Sequence, residues 1–255
     1  MAEAAERAIM PRYGRLATNE VREKAADEPV TIADQESENI LAEGLARILP
    51  EAAIVGEEAT AADPSVMGKL ADALCWIIDP LDGTANFASG EGPFGILVAL
   101  AERGEPIGGW IYDPRRRRFC SSMQGEGAFI NGQPITARSS GNQPPIAAIS
   151  SLFVEPIRRS QVQERMEIVF DTVPVPRCAA EQYPRIVLGL NDVTLYERTL
   201  PWDHAAGAVF LTEAGGRVSR FDGSPYRVGD DRRGLIAAAT PALWQKTVDL
   251  LRDLA

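Results

Sequence analysis

Between Trp76 and Thr84 the chain reads Trp-Ile-Ile-Asp-Pro-Leu-Asp-Gly-Thr. Asp79 and Asp82 bring two carboxylates close together, and Pro80 between them fixes its own φ and withdraws an N–H donor. Gly83-Thr84 then reads as a helix start. Carboxylates collect hard cations, and helix N-termini hold anions. The segment therefore predicts a turn that gathers metal and phosphate at one place. The carbonyl of Leu81 is a candidate oxygen ligand in the same space. Three further acidic residues stand where predicted strands or turns end: Asp34, Glu57 and Asp203. A carboxylate bridging two ions about 3.5–4 Å apart is the usual two-metal arrangement. Each piece alone has an ordinary explanation. Asp-Pro-x-Asp-Gly is common turn chemistry, Glu57-Glu58 reads as a solvated pair, and Asp34 and Asp203 read as helix N-caps. Their combination in one order points to a site.

The elements that must position these residues follow from periodicity. Residues 1 to 26 carry a helical pattern, interrupted at Pro11 and Gly14. Ile40, Leu41, Leu45, Ile48 and Leu49 form a helical stripe, with Asp34 as its predicted N-cap and Pro50 as its stop. Ala52–Val55 and Leu74–Ile78 read as strands, separated by a polar stretch. Phe94–Leu100, Ile107–Tyr112, Phe119–Ser122 and Ala128–Ile130 read as further strands, and Asn131-Gly132 is a hairpin signal. Residues 137 to 145, rich in Ser, Gly, Asn and Pro, suggest a boundary. It divides an N-terminal α+β subdomain (1–138) carrying most of the acidic site from a C-terminal α/β subdomain (139–255) carrying Asp203. Beyond the boundary come a strand, a helix from Pro156 to Phe170, a strand near 172–175, a mixed segment, and a strand at 192–197. A helix then runs from His204 to Ala214 and closes on Gly215-Gly216. Two late strands and a terminal helix complete the chain. Interleaved strands and helices with hairpins predict an α/β, mixed α+β fold with mixed parallel and antiparallel sheets.

Composition excludes some functions. The chain has 255 residues and a net charge of −10, with 36 acidic against 26 basic residues. That balance disfavours nucleic acid, whose binders need a basic footprint. Cys75, Cys120 and Cys178 are scattered, which argues against a disulfide framework or a zinc cluster. No targeting segment or apolar run long enough to span a membrane is evident, so the expectation is a cytoplasmic protein with no membrane partner.

Four stretches together resemble the inositol monophosphatase family of metal-dependent, lithium-sensitive phosphatases. They are Val30–Asp34, Gly56-Glu57-Glu58, Trp76 through Phe87, and Trp202-Asp203 followed by Ala205–Gly216; Gly125–Phe129 and Asn131-Gly132 are smaller echoes. The resemblance covers nearly the whole chain and implies the layered αβαβα sandwich of the sugar-phosphatase type and a homodimer. It implies Mg²⁺, as two or three ions. Glu57, Asp79 and the Leu81 carbonyl would hold the first, and Asp79, Asp82 and Asp203 the second. Thr84 and Glu57 would orient and deprotonate water, Asp34 would accept a hydrogen bond from Thr84, and the N–H groups of Gly83 and Thr84 would hold phosphate. Lys24 falls near a lysine of the family's mobile loop.

The implied reaction is hydrolysis of a small phosphorylated polyol such as inositol 1-phosphate, by metal-activated water and without a covalent intermediate. Relatives handle histidinol phosphate, fructose 1,6-bisphosphate and 3′-phosphonucleosides. Substrate choice in the family depends largely on the segment before the last aspartate. Here that segment is Arg177–Pro184 rather than a Gly-Ser-Ala type, which makes Glu181 and Tyr183 candidate polyol contacts. Glu197 precedes Asp203 by about the distance at which relatives hold a sugar hydroxyl, and His204, next to Asp203 where relatives often have an aliphatic residue, is a further candidate. His204 has the competing reading of a satisfied helix-start histidine. Arg115–Arg118 reads as a solvated surface turn or as a steering patch for an anion. Haloacid-dehalogenase phosphatases also end their signature in Asp-Gly-Thr, but one residue separates their aspartates and two intervene here. A regulatory protein that kept the fold without the chemistry is the non-enzymatic alternative, and loss of a ligand position would mark it.

Overall fold

The computed structural model describes residues 1–16, 21–25, 28–149 and 155–254; for 21–25, 28, 29 and 253 it describes the backbone alone. The chain opens with α1 (Ala2–Ala4), which runs on as a π turn to Ile9. β1 (Val21–Ala25) and β2 (Glu28–Thr31) form an antiparallel pair that leads into α2 (Ile32–Ile48). β3 (Ala53–Gly56), α3 (Glu57–Ala62) and a 3₁₀ stretch (Pro64–Ala71) precede β4 (Cys75–Asp82) and the single turn of α4 (Thr84–Ala88). A meander of β5 (Gly95–Glu102), β6 (Glu105–Asp113), β7 (Arg118–Met123), β8 (Gly127–Ile130) and β9 (Gln133–Ile135) follows. Next come β10 (Ile146–Ile149), α5 (Pro156–Glu167), β11 (Asp171–Pro174), α6 (Ala179–Val187), β12 (Val193–Tyr196) and α7 (Pro201–Glu213). β13 (Arg217–Ser219), β14 (Leu235–Ala238), α8 (Pro241–Leu251) and a 3₁₀ turn to Leu254 complete the order.

Two mixed sheets result. The first runs β3-β4-β5-β6-β7-β8-β9, parallel at β3/β4 and antiparallel elsewhere; the second runs β11-β10-β12-β14-β13. Strand alternation decides what covers each face. Trp76, Ile78, Ile96, Val98 and Leu100 face α1 and α2 with Ala4, Ile9, Ala33 and Leu41. Their neighbours Ile77, Leu97 and Ala99 face the other way, against Tyr183, Ile186 and Val187 of α6 and Phe210 and Leu211 of α7. Leu235 and Ala237 close that same layer from the second sheet. Ile236 and Ala238 point onward to Met166, Phe170, Trp244 and Leu251 beneath α5 and α8. The succession of layers is αβαβα, and the chain is a mixed α+β protein. Each fully buried Ile or Leu in these layers contributes roughly 1.5–3 kcal/mol. Gly109 lets α7 lie against the first sheet, because a Cβ there would overlap the backbone of Ala206.

The structure differs from the sequence reading at Val21–Ala25, which falls in the expected N-terminal helical stretch but pairs with β2 as a strand, and at four further places. First, Asp79 and Asp82 lie on one strand rather than on a turn. β4 pairs Asp79 with Leu97 and then Asp82 with Gly95, which leaves one extra residue on β4. In a regular strand, residues three apart point to opposite faces; the bulge resets the alternation and lets both carboxylates serve one side. Second, Thr31 caps α2 and Asp34 is its third residue, in a capping box. Third, Asp203 likewise lies inside the first turn of α7, which begins at Pro201. Fourth, the polar stretch after Glu57 and the mixed segment before β12 are helical, as α3, the 3₁₀ turn and α6. The Asn131-Gly132 hairpin turn forms with positive φ at both residues, joining Ile130 to Gln133.

Candidate active site

The site begins at the capping box of α2. The Thr31 N–H and hydroxyl donate to Asp34 Oδ2 at 2.7 and 2.6 Å, and the Ala33 N–H donates to Thr31 Oγ1 at 3.1 Å. This arrangement fixes Asp34 rather than leaving it to cap. Its other oxygen, Oδ1, accepts from the Thr84 hydroxyl at 3.1 Å, and the Leu81 carbonyl lies 2.8 Å from the same hydroxyl. A threonine has one O–H proton, so it serves these acceptors in alternation and has lone pairs left to receive a donor. Gly83, just before Thr84, has φ +81°, and a Cβ there would lie 2.8 Å from the Pro93 carbonyl. Only glycine turns β4 into α4 at this point.

Asp79 sits at the centre and is 1 % exposed. The Leu81 N–H donates to its Oδ1 at 3.1 Å, and the Ser37 hydroxyl holds the Pro80 carbonyl at 2.9 Å. The Asp79 carboxyl is held well above its usual pKa, first by burial and then by repulsion from Glu57, Asp82, Asp203 and Asp34. Asp82 is pushed up to about 6, chiefly by burial, against the stabilising hydrogen bond from Ala180 N–H to Oδ2 at 2.6 Å. Glu57, Asp82, Asp203 and Asp34 are thus all near enough to Asp79 for their charge to bear on it. Among the described residues no three His, Cys, Asp or Glu side chains are already drawn into a ligand cluster.

A family model described as the inositol monophosphatase family matches residues 1–254. The chain belongs to the inositol monophosphatase family. Homologues in this family are phosphoric monoester hydrolases. "Nus factor SuhB" of Pseudomonas aeruginosa is 32% identical over 232 residues, covering 88% of this chain and 83% of that protein. "Inositol-1-monophosphatase" of Synechocystis is 30% identical over 234 residues, covering 90% and 79%. Among solved structures, an inositol monophosphatase from Zymomonas mobilis superposes with a TM-score of 0.80 at 25% identity, covering 98% of this chain and 94% of that one.

The donor set fits the divalent metal that this family generally uses. It is made of carboxylates and a backbone carbonyl, the oxygen donors preferred by hard cations. The buried negative charge around Asp79 is the kind that a divalent ion offsets. Glu57 is the first residue of α3. It is placed by a residue the sequence reading missed: Glu38 of α2 accepts the N–H groups of Glu58 and Ala59, each at 2.8 Å. Glu38 thus caps α3 from another helix, and a Cβ on Gly56 would overlap its carboxylate. The available signal was spacing. Asp34, Ser37 and Glu38 are buried polar residues on the inward face of α2.

The residues predicted to contact substrate fare differently. Glu181 is a correction. It is 6 % exposed, and its carboxylate is paired with Arg118 at 2.6 Å, Arg116 at 3.0 Å and Arg185 at 3.5 Å. Its carboxylate is thus engaged within the protein. The arginine run forms the expected surface turn, with Arg115, Arg116 and Arg117 exposed, but Arg116 and Arg118 are ion-paired and Arg115 lies 5.1 Å from the centroid of the Tyr13 ring. His204 is likewise a correction to the substrate role. It is buried in α7, with Nδ1 3.0 Å from the Tyr183 hydroxyl and Nε2 3.1 Å from the Arg198 carbonyl. Burial lowers its pKa to about 3. Both ring nitrogens are satisfied within the protein. Glu197 follows β12, is partly exposed, and borders a cavity with Arg158, Tyr196 and Phe221. Lys24 falls in β1, but its side chain lies outside the described residues. Among the described residues no helix is long and apolar enough to cross a membrane.

Proposed function

We propose that this chain is a Mg²⁺-dependent phosphomonoesterase acting on a small phosphorylated polyol, with inositol 1-phosphate as the leading substrate. Histidinol phosphate, fructose 1,6-bisphosphate and a 3′-phosphonucleoside are alternatives within the family. The observation that carries the proposal is Asp79, buried among Glu57, Asp82, Asp203 and Asp34, beside a Thr84 hydroxyl that Asp34 holds. In this reading Glu57, Asp79 and the Leu81 carbonyl hold one ion, and Asp79, Asp82 and Asp203 hold another. Bound there, Mg²⁺ would lower the pKa of water, offset the repulsion between anionic partners and stabilise the leaving oxygen. Glu57 and Thr84 orient the attacking water and take its proton, and Asp34 keeps the Thr84 hydroxyl aligned. The N–H groups of Gly83 and Thr84 receive the phosphate, and Glu197 meets a hydroxyl of the polyol. No protein nucleophile is needed, in agreement with a chain whose single histidine is buried and engaged.

A homodimer in the cytoplasm belongs to the same proposal, as does the division of the chain near residue 138. Several relatives carry the name Nus factor SuhB. For this chain, a net charge of −10 and the pairing of Arg116 and Arg118 with Asp113 and Glu181 favour a small-molecule substrate over nucleic acid. The test is phosphate release from a panel of phosphorylated polyols, amino alcohols and nucleotides, with and without Mg²⁺. Mg²⁺-dependent release from at least one polyol phosphate is expected. No release from any compound would favour the regulatory alternative.

A further inference from the structure

We infer that Glu181 is a positioning residue for Asp82, acting through Arg118 and the first turn of α6. This inference rests on the proposed function only for its catalytic consequence. The geometry centres on Ala180. Its N–H donates to Asp82 Oδ2 at 2.6 Å, so the start of α6 caps the carboxylate from across the site. Its carbonyl would ordinarily accept the N–H four residues on, but that residue is Pro184, which has none. Arg118 Nη2 takes the place of that donor, 3.5 Å from the Ala180 carbonyl, and the same nitrogen binds Glu181 Oε2 at 2.6 Å. Ala180 is thus held on both sides, by Asp82 and by Arg118.

Glu181 keeps Arg118 there. The Arg118 side chain is 12 % exposed and that of Glu181 8 %. Asp113 supports the cluster from the end of β6, 2.8 Å from Arg116 and 3.6 Å from Arg118, and also accepts the N–H groups of Arg115 and Arg116 at 3.0 Å. Three arginines and two carboxylates leave one net positive charge; without the charge of Glu181 there would be two. Arginine does not neutralise itself. Arg118 must then move toward water, release the Ala180 carbonyl and loosen the N–H that orients Asp82.

The experiment compares Glu181→Gln, Glu181→Asp and Arg116→Ala with the parent chain. Amide exchange at Ala180 is read by NMR, with Leu97 and Ile111 as controls in the first sheet. Mg²⁺-dependent phosphate release is read alongside. Glu181→Gln should speed Ala180 exchange about tenfold or more while the controls stay unchanged. It should also raise the Mg²⁺ concentration for half-maximal activity several-fold. Glu181→Asp, which keeps the charge, should recover most of both effects. Arg116→Ala removes the more exposed arm and should shift both far less. If Glu181→Gln does not fold, Glu181→Asp decides: a folded Asp variant whose Ala180 exchange matches the parent supports the inference, and one with exchange as fast as in a frayed helix overturns it. A stable Glu181→Gln variant with Ala180 exchange within twofold of the parent also overturns it. If the parent chain releases no phosphate, the functional reading fails while the exchange result still decides the inference.

Discussion

His204 is the only histidine in the chain, so its ionisation can be isolated by one substitution. Burial holds its pKa at about 3, against 6.5 for the free side chain. The folded protein therefore resists the proton that the unfolded chain accepts. The stability this provides is complete above the unfolded value and declines as pH falls through it, until the folded value is reached. At about 1.36 kcal/mol per pKa unit, lowering pH from about 7.5 to about 5 removes roughly 2 kcal/mol. That figure depends almost wholly on the unfolded pKa, since the folded group stays neutral across the window. The carboxylates titrate over part of the same range, so the useful quantity is a difference. His204→Gln has a similar reach and no proton to gain. Urea unfolding of both proteins, followed by circular dichroism in excess chelator, gives the gap between their stabilities at each pH. Whatever packing the variant loses is constant with pH. The gap should shift in the variant's favour by about 2 kcal/mol between the two pH values. Parallel curves would refute the reasoning and mean that the imidazole titrates as if exposed.

Other expectations follow from the site. Asp79→Asn should cut turnover by at least about 100-fold while leaving the far-ultraviolet spectrum intact, and its metal-free form should unfold at no lower urea concentration than the parent, because a repelled buried charge has gone. Glu38→Gln weakens the cap on α3 and should cost about 1–2 kcal/mol in urea unfolding, with a higher Mg²⁺ requirement because Glu57 is less well placed. Asn86 donates to the Pro93 and Pro176 carbonyls at 2.8 and 3.0 Å, tying α4 to the segment before α6. Asn86→Ala should cost about 1–3 kcal/mol by leaving those carbonyls unpaired, and limited proteolysis should find new cleavage near Arg177.

The acidic residues were legible as candidates because their chemistry lies in their type and order, and the charge of Glu57, Asp82, Asp203 and Asp34 bears on Asp79. The strands β4 to β8 were legible as well, because short apolar runs bounded by turn residues are a local signal. What escaped depended on partners far along the chain. Spacing from Asp34 puts Glu38 on the inward face of α2, but no local pattern says that its carboxylate serves N–H groups some twenty residues away. α6 was hidden by Pro184 and by polar residues on a buried face. Glu181 and Gln182 can be buried there because Arg118 and Thr194 meet them. His204 and Glu181 were read as substrate contacts because chemically able residues near a predicted site invite that reading; burial and internal partners decide otherwise. The N-cap of α2 was placed three residues late, at Asp34, because Thr31 and Asp34 share the capping work that one Asp can do alone.

Crystals soaked in Mn²⁺ and measured at the manganese edge address the central claim directly. The account predicts anomalous peaks within coordination distance of Asp79, flanked by Glu57, the Leu81 carbonyl, Asp82 and Asp203. Manganese bound elsewhere, with Asp79 touching none, would contradict it.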